Sequence, residues 1–241
     1  MKERAKIRIF VDAALAAGQA VALSRDQAHY LFGVMRQQVG AHIALFNGRD
    51  GEWTAEVAEA GKRRGVLVCQ TQTVVQSTPP DVWLLFAPIK KARTDFIVEK
   101  AAEMGVRRIC PVRTDFTNAE RIRRDRLQVH AVEAAEQCGG VFVPEVAEIS
   151  RLDTVLSGWQ PDRQLMFCDE TLAGQGASLP DIPGPWAILI GPEGGFSEAE
   201  RVRLAALSCA HAISLGPRIL RADTAAVAAL TVWQQALGDW S

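Results

Sequence analysis

The sequence predicts an α/β protein in two parts: a small β-barrel over residues 1–76, then an α/β domain with a mostly parallel sheet over 79–241. Three observations lead there. Up to Val75 the apolar runs are short, rich in Val, Ile and aromatic residues, and cut by Gly, Asn and Asp, as in strands joined by tight turns. Val75–Asp81, "VQSTPPD", carries two adjacent prolines that stop any strand, so it reads as a linker. Beyond it, apolar strand-like runs alternate with helical patterns, the rhythm of a parallel sheet covered by helices.

In the first part, "IRIFV", "HIALFNG", "EWTAEVAEA" and "GVLVCQTQTVV" read as strands, and Asn47-Gly48 and Asp50-Gly51 mark a hairpin. Ser24 caps one helix, "RDQAHYLFGVMR", with Tyr30, Leu31, Val34 and Met35 at helical spacing. Strands closing around one helix give the barrel. In the second part "DVWLLFAP" is a buried strand, and "TDFIVEKAAEMG" a helix capped by Thr94 and stopped by Gly105. "RRICPV" is the next strand and "RDRLQVHAVEAAEQCG" the next helix. "VPEVAEI", "RQLMFCDE", "WAILIG" and "AHAISLG" follow as strands, with "SEAERVRLAALS" and "ADTAAVAALTVWQQALG" as helices. The second of these is expected to start near Asp223 or Thr224.

Hydrophobic residues make up 48% and charged residues 23%, as in ordinary globular domains. No apolar run approaches the roughly 20 residues that span a bilayer. The charged start, Met-Lys-Glu-Arg-Ala-Lys, has no apolar signal core behind it, so a cytoplasmic protein is expected. Five scattered cysteines without a C-x-x-C pair fit reduced thiols. Four histidines without ligand spacing leave no metal expected. The net charge of −1 hides an asymmetry: +3 over residues 1–78, +4 over 79–130 and −8 over 131–241. A positive front half suits an anionic polymer on one face, although charge also fluctuates along any chain.

Two strand ends are unusual. In "WAILIGPEGGFSEAE" a buried strand meets Gly191-Pro192-Glu193-Gly194-Gly195, and Ser197 to Glu200 forms a capping box that starts a helix. Glycines there either expose backbone to a ligand or make a tight left-handed turn. The spacing is that of neither dinucleotide nor P-loop motifs, and no lysine follows to meet a phosphate, which disfavours a kinase or ATPase. The second, "LGPRILRADTAA", places Arg218 and Arg221 beside a glycine-containing strand end. Two arginines there suit an anionic or electron-rich ligand, or simply a solvated loop.

Taken together, Gly191–Phe196 ("GPEGGF"), Leu215–Arg221 ("LGPRILR") and Asp223-Thr224-Ala225 resemble the SPOUT class of RNA methyltransferases. Within it they resemble the ribosomal RNA small subunit methyltransferase E family. The likeness runs the length of the chain. Lys90, Arg93, Phe96, Lys100, Glu103 and Gly105 sit as in that family's K-x-x-R-x-x-F-x-x-x-K-x-x-E-x-G helix. Glu136-Gln137-Cys138-Gly139 matches its E-Q-C-G, and Val143-Pro144-Glu145 its V-P-E. The front part resembles its PUA-like domain at Arg8-Ile9-Phe10, His29, Val34-Met35-Arg36, Gly40 and Asn47-Gly48. One departure is Gly140, where many members carry arginine. If that arginine contacts RNA, its task here falls to another residue or is absent.

The resemblance implies a PUA-like β-barrel, a SPOUT-type domain with a trefoil knot, and S-adenosylmethionine bent among the knotted loops. Ile190, Gly191, Glu193 and Gly194 would form one cofactor loop, Leu215, Gly216, Ile219 and Leu220 a second, and Asp169 part of a third. The implied reaction methylates N3 of a uridine in 16S rRNA of the small ribosomal subunit. Losing the N3 proton puts negative charge on the base, which an arginine would stabilise; Arg221 is the expected catalytic arginine. Glu193 is the second catalytic candidate, with Asp223 and bulk water as rival proton acceptors.

RNA phosphates would meet Arg8, Arg36, Lys90, Lys91, Arg93, Arg113 and the cluster Arg121–Arg124, which reads equally as a solvated loop. A homodimer through the C-terminal domain is expected, because "TAAVAALTVWQQAL" is apolar nearly all round. No membrane partner is expected. The competing readings are a non-catalytic PUA-like RNA-binding protein, a SPOUT methyltransferase acting on another RNA, and a transferase for another nucleotide-like ligand.

Overall fold

The computed structural model describes residues 5–118, 122–174 and 179–240. The chain forms two compact units, one of Met1–Thr78 with Ala135–Val143, the other of Pro79–Ala134 with Pro144–Ser241.

In the first unit five strands, β1 (Arg8–Phe10), β2 (Ala20–Ala22), β3 (His42–Phe46), β4 (Glu52–Gly61) and β5 (Arg64–Val74), lie in the order β1-β3-β4-β5-β2. Only β1 and β3 pair in parallel. Alternating side chains of the strands, Ile43, Leu45, Ala55, Val57, Leu67 and Cys69, fill the core, as the period of two requires. The β3–β4 turn is built by Asn47, whose side-chain oxygen accepts from the amides of Arg49 and Asp50 at 3.0 and 2.8 Å. Gly51 is required there. Its φ is 75°, and a Cβ would strike the carbonyl of Val74.

Ser24 and Gln27 form a reciprocal capping box for α1 (Arg25–Ala28). The helix expected to run on to Arg36 then widens into a π-turn over His29–Val34. The change of period undoes the expected apolar stripe: Leu31 is fully buried, whereas Tyr30, Val34 and Met35 are exposed. Gly33, a weak helix former, lies where a side chain would come within 2.9 Å of the His29 ring. The short β2 has no sequence signal of its own.

In the second unit the chain runs β6 (Val82–Phe86), α2 (Lys91–Glu103), β7 (Arg108–Arg113), α3 (Arg124–Cys138), β8 (Glu145–Val146), β9 (Ser150–Arg151) and α4 (Leu152–Ser157). It continues through β10 (Gln164–Cys168), β11 (Trp186–Ile190), α5 (Glu198–Ala205), β12 (Ala210–Ile213) and α6 (Ala222–Leu237). The strands form the parallel order β12-β10-β11-β6-β7-β8, with β9 also beside β7. From β6 the chain builds outward to β7 and β8, then returns to the other side of β6 with β11. The strand order therefore reverses between β6 and β11, where open α/β sheets bind ligands at their carboxyl ends. All five residues of β11 are buried. Leu165, Phe167, Ala187 and Leu189 pack on one side with Phe196 and Leu204. On α6, Ala225, Ala226, Ala229, Leu230 and Trp233 are buried, and Gln234 donates to the carbonyl of Met104 at 2.6 Å.

Several boundaries differ from expectation. Lys90, not Thr94, is the cap residue of α2. Thr94 is buried in the first turn, where its hydroxyl accepts from the Ile89 amide and donates to the Ile89 carbonyl at 3.0 and 3.1 Å. The helix α6 starts at Ala222 behind Arg221, one residue before Asp223. "VPEVAEI" holds only the two-residue β8. The unexpected α4 buries Leu152 and Leu156, a spacing of four that was present in the sequence.

Candidate functional site

At the carboxyl ends of β10, β11 and β12 three loops enclose a cavity of about 480 Å³, within the roughly 300–1,000 Å³ typical of small-molecule sites. Asp169, Glu170 and Ala173 line it from the loop after β10; Ile190, Gly191, Glu193 and Gly195 from the turn after β11. Leu215, Gly216, Ile219 and Leu220 line it from the loop after β12, together with Arg218 and Arg221. Lys90 and Arg93 reach it from the start of α2. Of the residues expected in the cofactor loops, only Gly194 is outside the lining. A Cβ there would pack 3.4 Å from Phe116.

The glycines of the turn make room for protein groups. A side chain at Gly191 would come within 3.2 Å of the ring of buried Phe196. Gly195 alone in this turn is left-handed, with φ 69°, and a Cβ there would run into the Glu170 carboxylate. Its amide closes the turn on the Pro192 carbonyl at 2.9 Å. The capping box forms as expected, Ser197 accepting from the Glu200 amide and Glu200 from the Ser197 amide. Buried Glu200 also accepts from the Asp115 amide at 2.9 Å, and the Ser197 hydroxyl donates to the Asp115 carboxylate at 2.6 Å. These bonds fasten the loop after β7 to the start of α5. Nothing in the local pattern signals them. The third loop is pinned by Gly216, whose carbonyl accepts from the Gly174 amide at 3.0 Å.

The charges around the cavity differ in how far they are committed. Arg93 lies 3.0 Å from Glu193 and 3.8 Å from Asp223. Arg201, on α5, stands 3.8 Å from Asp169 and 3.6 Å from Glu170. The side chains of Arg218 and Arg221 have no hydrogen bond or ion pair with any described residue, and both residues are exposed. Burial pushes the Cys168 thiol up to about 12, so it stays protonated and offers no thiolate nucleophile. Among the described residues no cluster of His, Cys, Asp and Glu could hold a metal.

A model of the RNA methyltransferase domain matches residues 76–234, and one of the RNA methyltransferase PUA domain matches 23–68. The chain belongs to the RNA methyltransferase family. Among curated relatives of this methyltransferase, ribosomal RNA small subunit methyltransferase E of Rickettsia conorii is 28% identical over 232 residues, 92% of this chain and 93% of its own. The enzyme of that name from Buchnera aphidicola is 26% identical over the full length of both. A crystal structure of ribosomal RNA small subunit methyltransferase E from Neisseria gonorrhoeae, bound to S-adenosyl methionine, superposes with a TM-score of 0.88 at 26% identity. It covers 98% of this chain and 99% of that one. A methyltransferase from Legionella pneumophila in complex with the same cofactor gives 0.85 at 29% identity, covering 98% and 100%.

The other basic residues expected to meet RNA are not among those that line the cavity. Arg8 is not free for phosphate. Its guanidinium donates to Glu52 at 2.6 Å and to the carbonyls of Ala135, Glu136 and Gly140 at 2.7 to 2.8 Å, and stacks 4.5 Å over Phe46. It thereby closes the carboxyl end of α3, a role that no spacing in the sequence reveals. Arg36 is exposed in the first unit and left-handed, with φ 52°. Arg113 is exposed at the carboxyl end of β7, and Lys91 in the first turn of α2. Arg121 lies outside the described residues. Within the same basic cluster Arg123 pairs with Asp125 at 2.6 Å, and Arg124 donates to the Val146 carbonyl at 2.8 Å. Among the described residues no helix is long and apolar enough to cross a membrane.

Proposed function

We propose that this RNA methyltransferase uses S-adenosylmethionine to methylate N3 of a uridine in 16S rRNA of the small ribosomal subunit, acting in the cytoplasm. The observation that carries the reading is the three-loop cavity, whose rim presents an uncommitted Arg221. The residues suit the cofactor. Apolar Ile190, Leu215, Ile219 and Leu220 suit an adenosine moiety, and the carboxylates of Asp169, Glu170 and Glu193 complement a cationic sulfonium and amine. The same reading brings with it the trefoil-knotted threading of the SPOUT class. The named relatives support the cofactor and the rRNA substrate.

Bound there, S-adenosylmethionine supplies a methyl group already activated for in-line displacement. The protein's part is to hold the base in line and to stabilise the charge left when the N3 proton departs. Arg221, with no partner of its own, is placed to meet that charge. Glu193 lines the cavity whereas Asp223 does not, which favours Glu193 as proton acceptor. The uridine must leave its stack to enter. Arg36, Lys90, Lys91, Arg113 and Arg218 are exposed and suit phosphate contacts; Arg8 is left out because its donors are spent within the protein. Incubating the chain with labelled S-adenosylmethionine and small subunits from a strain lacking the modification should yield one N3-methyluridine in 16S rRNA. Label in another RNA would move the substrate, and cofactor binding with no methylated RNA at all would favour a non-catalytic RNA-binding protein.

A homodimer through α6 belongs to the same proposal. From Thr224 to Leu237 the helix carries no charge, and the face away from the core presents Thr224, Ala228, Thr231 and Val232, with Val232 39% exposed. Such a face is suited to cover a second copy and to complete the site with that copy's residues. Light scattering at micromolar concentration should give twice the 26.2 kDa of one chain; a monomer throughout would end this part of the proposal.

A further inference from the structure

We infer that Arg93 is a positioning residue of the cofactor cavity, tying two of its walls together before ligand arrives, and not a reader of RNA phosphate. The inference rests on the reading that the cavity takes S-adenosylmethionine. Arg93 projects from the first turn of α2, a 13-residue helix with buried Ile97, Val98 and Ala101 that gives it a firm base. Its guanidinium meets Glu193, in the middle of the turn after β11, at 3.0 Å through Nη1. Through Nε it lies 3.8 Å from Asp223, in the first turn of α6 and two residues beyond Arg221. One planar cation therefore addresses the glycine turn that forms one wall and the helix start that carries Arg221.

Those walls need such a tie. The turn contains Gly191, Gly194 and Gly195, and the loop after β12 contains Gly216 with φ 113°. Segments rich in glycine lose more conformational entropy on ordering than others. Fixing them in the free chain removes part of that cost from the binding step. A lysine would serve less well, because a single point charge lacks the fork that spans two carboxylates. The charge balance also speaks against phosphate. Arg93, Glu193 and Asp223 together carry a formal charge of −1, so an approaching phosphate would meet a cluster with no positive excess. The two pairs are partly exposed, so their joint effect is modest, about three- to tenfold in affinity.

The test uses the full-length chain without RNA. S-adenosylmethionine affinity is measured by calorimetry for wild type, Arg93→Gln, Arg93→Lys, Glu193→Gln and the Arg93→Gln/Glu193→Gln double variant. Amide hydrogen exchange of the 191–195 turn is measured in the same proteins free of ligand. Arg93→Gln should weaken binding about three- to tenfold at low salt and less at 1 M salt, and should speed exchange of the turn. Arg93→Lys should recover only part of the loss. In the Glu193→Gln background, Arg93→Gln should add less than about twofold, since the partner is already gone. Wild-type affinity and exchange in Arg93→Gln, with RNA affinity reduced, would overturn the inference in favour of a phosphate contact. Fully additive losses would also overturn it, by separating Arg93 from Glu193. If the wild-type chain itself binds no S-adenosylmethionine, the reading of the cavity fails. Exchange in the ligand-free chain then still decides whether Arg93 holds the turn.

Discussion

The Arg221→Ala enzyme is expected to bind S-adenosylmethionine within a few-fold of wild type while transferring methyl groups about 10²–10³-fold more slowly. Arg221 lines the cavity, is exposed, and has no partner among the described residues, so little in the ground state depends on it. Its backbone conformation, φ −68° and ψ 153°, is that of a helix cap, yet its side chain makes no capping bond. An arginine is a poor choice there. Serine, threonine, asparagine or aspartate would satisfy a free amide of the first turn, and a cation faces the positive end of the helix dipole. A residue kept against its local preference points to use elsewhere. Arg221→Ser should therefore stabilise the chain by about 0.5–2 kcal/mol and still be nearly inactive. Thermal unfolding and single-turnover methylation of both variants check this. Loss of kcat and kcat/KM in equal measure is the expected signature of a group acting in the transition state, and near wild-type turnover would remove Arg221 from the mechanism.

Arg8→Ala should cost the N-terminal unit about 3–5 kcal/mol, the usual penalty for breaking a buried ion pair by removing one partner. The side chains of Arg8 and Glu52 are only 10% and 0% exposed. The Thr73 hydroxyl donates to the same Glu52 carboxylate at 2.9 Å. Three carbonyls near the end of α3 would also lose their donor. Arg8→Lys should recover only a minor share. Hydrogen exchange of β3 and β4 amides reports the change directly. Unchanged protection alongside weakened RNA binding would return Arg8 to the phosphate contacts expected from the sequence.

What could be read from the sequence was what neighbouring residues determine among themselves. The Ser197–Glu200 capping box, the Asn47-Gly48 turn, the Gly105 stop and the alternation of strands with helices are all settled within a few residues, and all are found in the fold. The loops that line the cavity stand out as glycines, a proline and arginines gathered at strand ends, but that they would hold a cofactor is implied only by the resemblance to the SPOUT class. What escaped depends on partners far along the chain. Thr94 reads as a cap because its hydroxyl can serve as one, but packing buries it within the first turn of the helix. The π-turn at His29–Val34 shifts a helical period that local spacing cannot reveal. Arg8 reads locally as a surface cation, and only the fold brings the carbonyls of Ala135, Glu136 and Gly140 within its reach. Nothing in the local sequence marks Arg201, since its charge relation to Asp169 and Glu170 joins a helix to a loop about thirty residues earlier.

Gly195 carries a consequence for how this enzyme can drift in evolution. Any side chain at that position must first displace the Glu170 carboxylate, and Glu170 lies 3.6 Å from Arg201. The three positions are thus linked in space. The Glu170 carboxylate is the end of a flexible side chain and can swing aside, so the lasting restriction at position 195 is its backbone. Even then the backbone, at φ 69°, admits little beyond asparagine or aspartate without strain. Drift at this corner of the cavity is confined by the conformation of residue 195 itself.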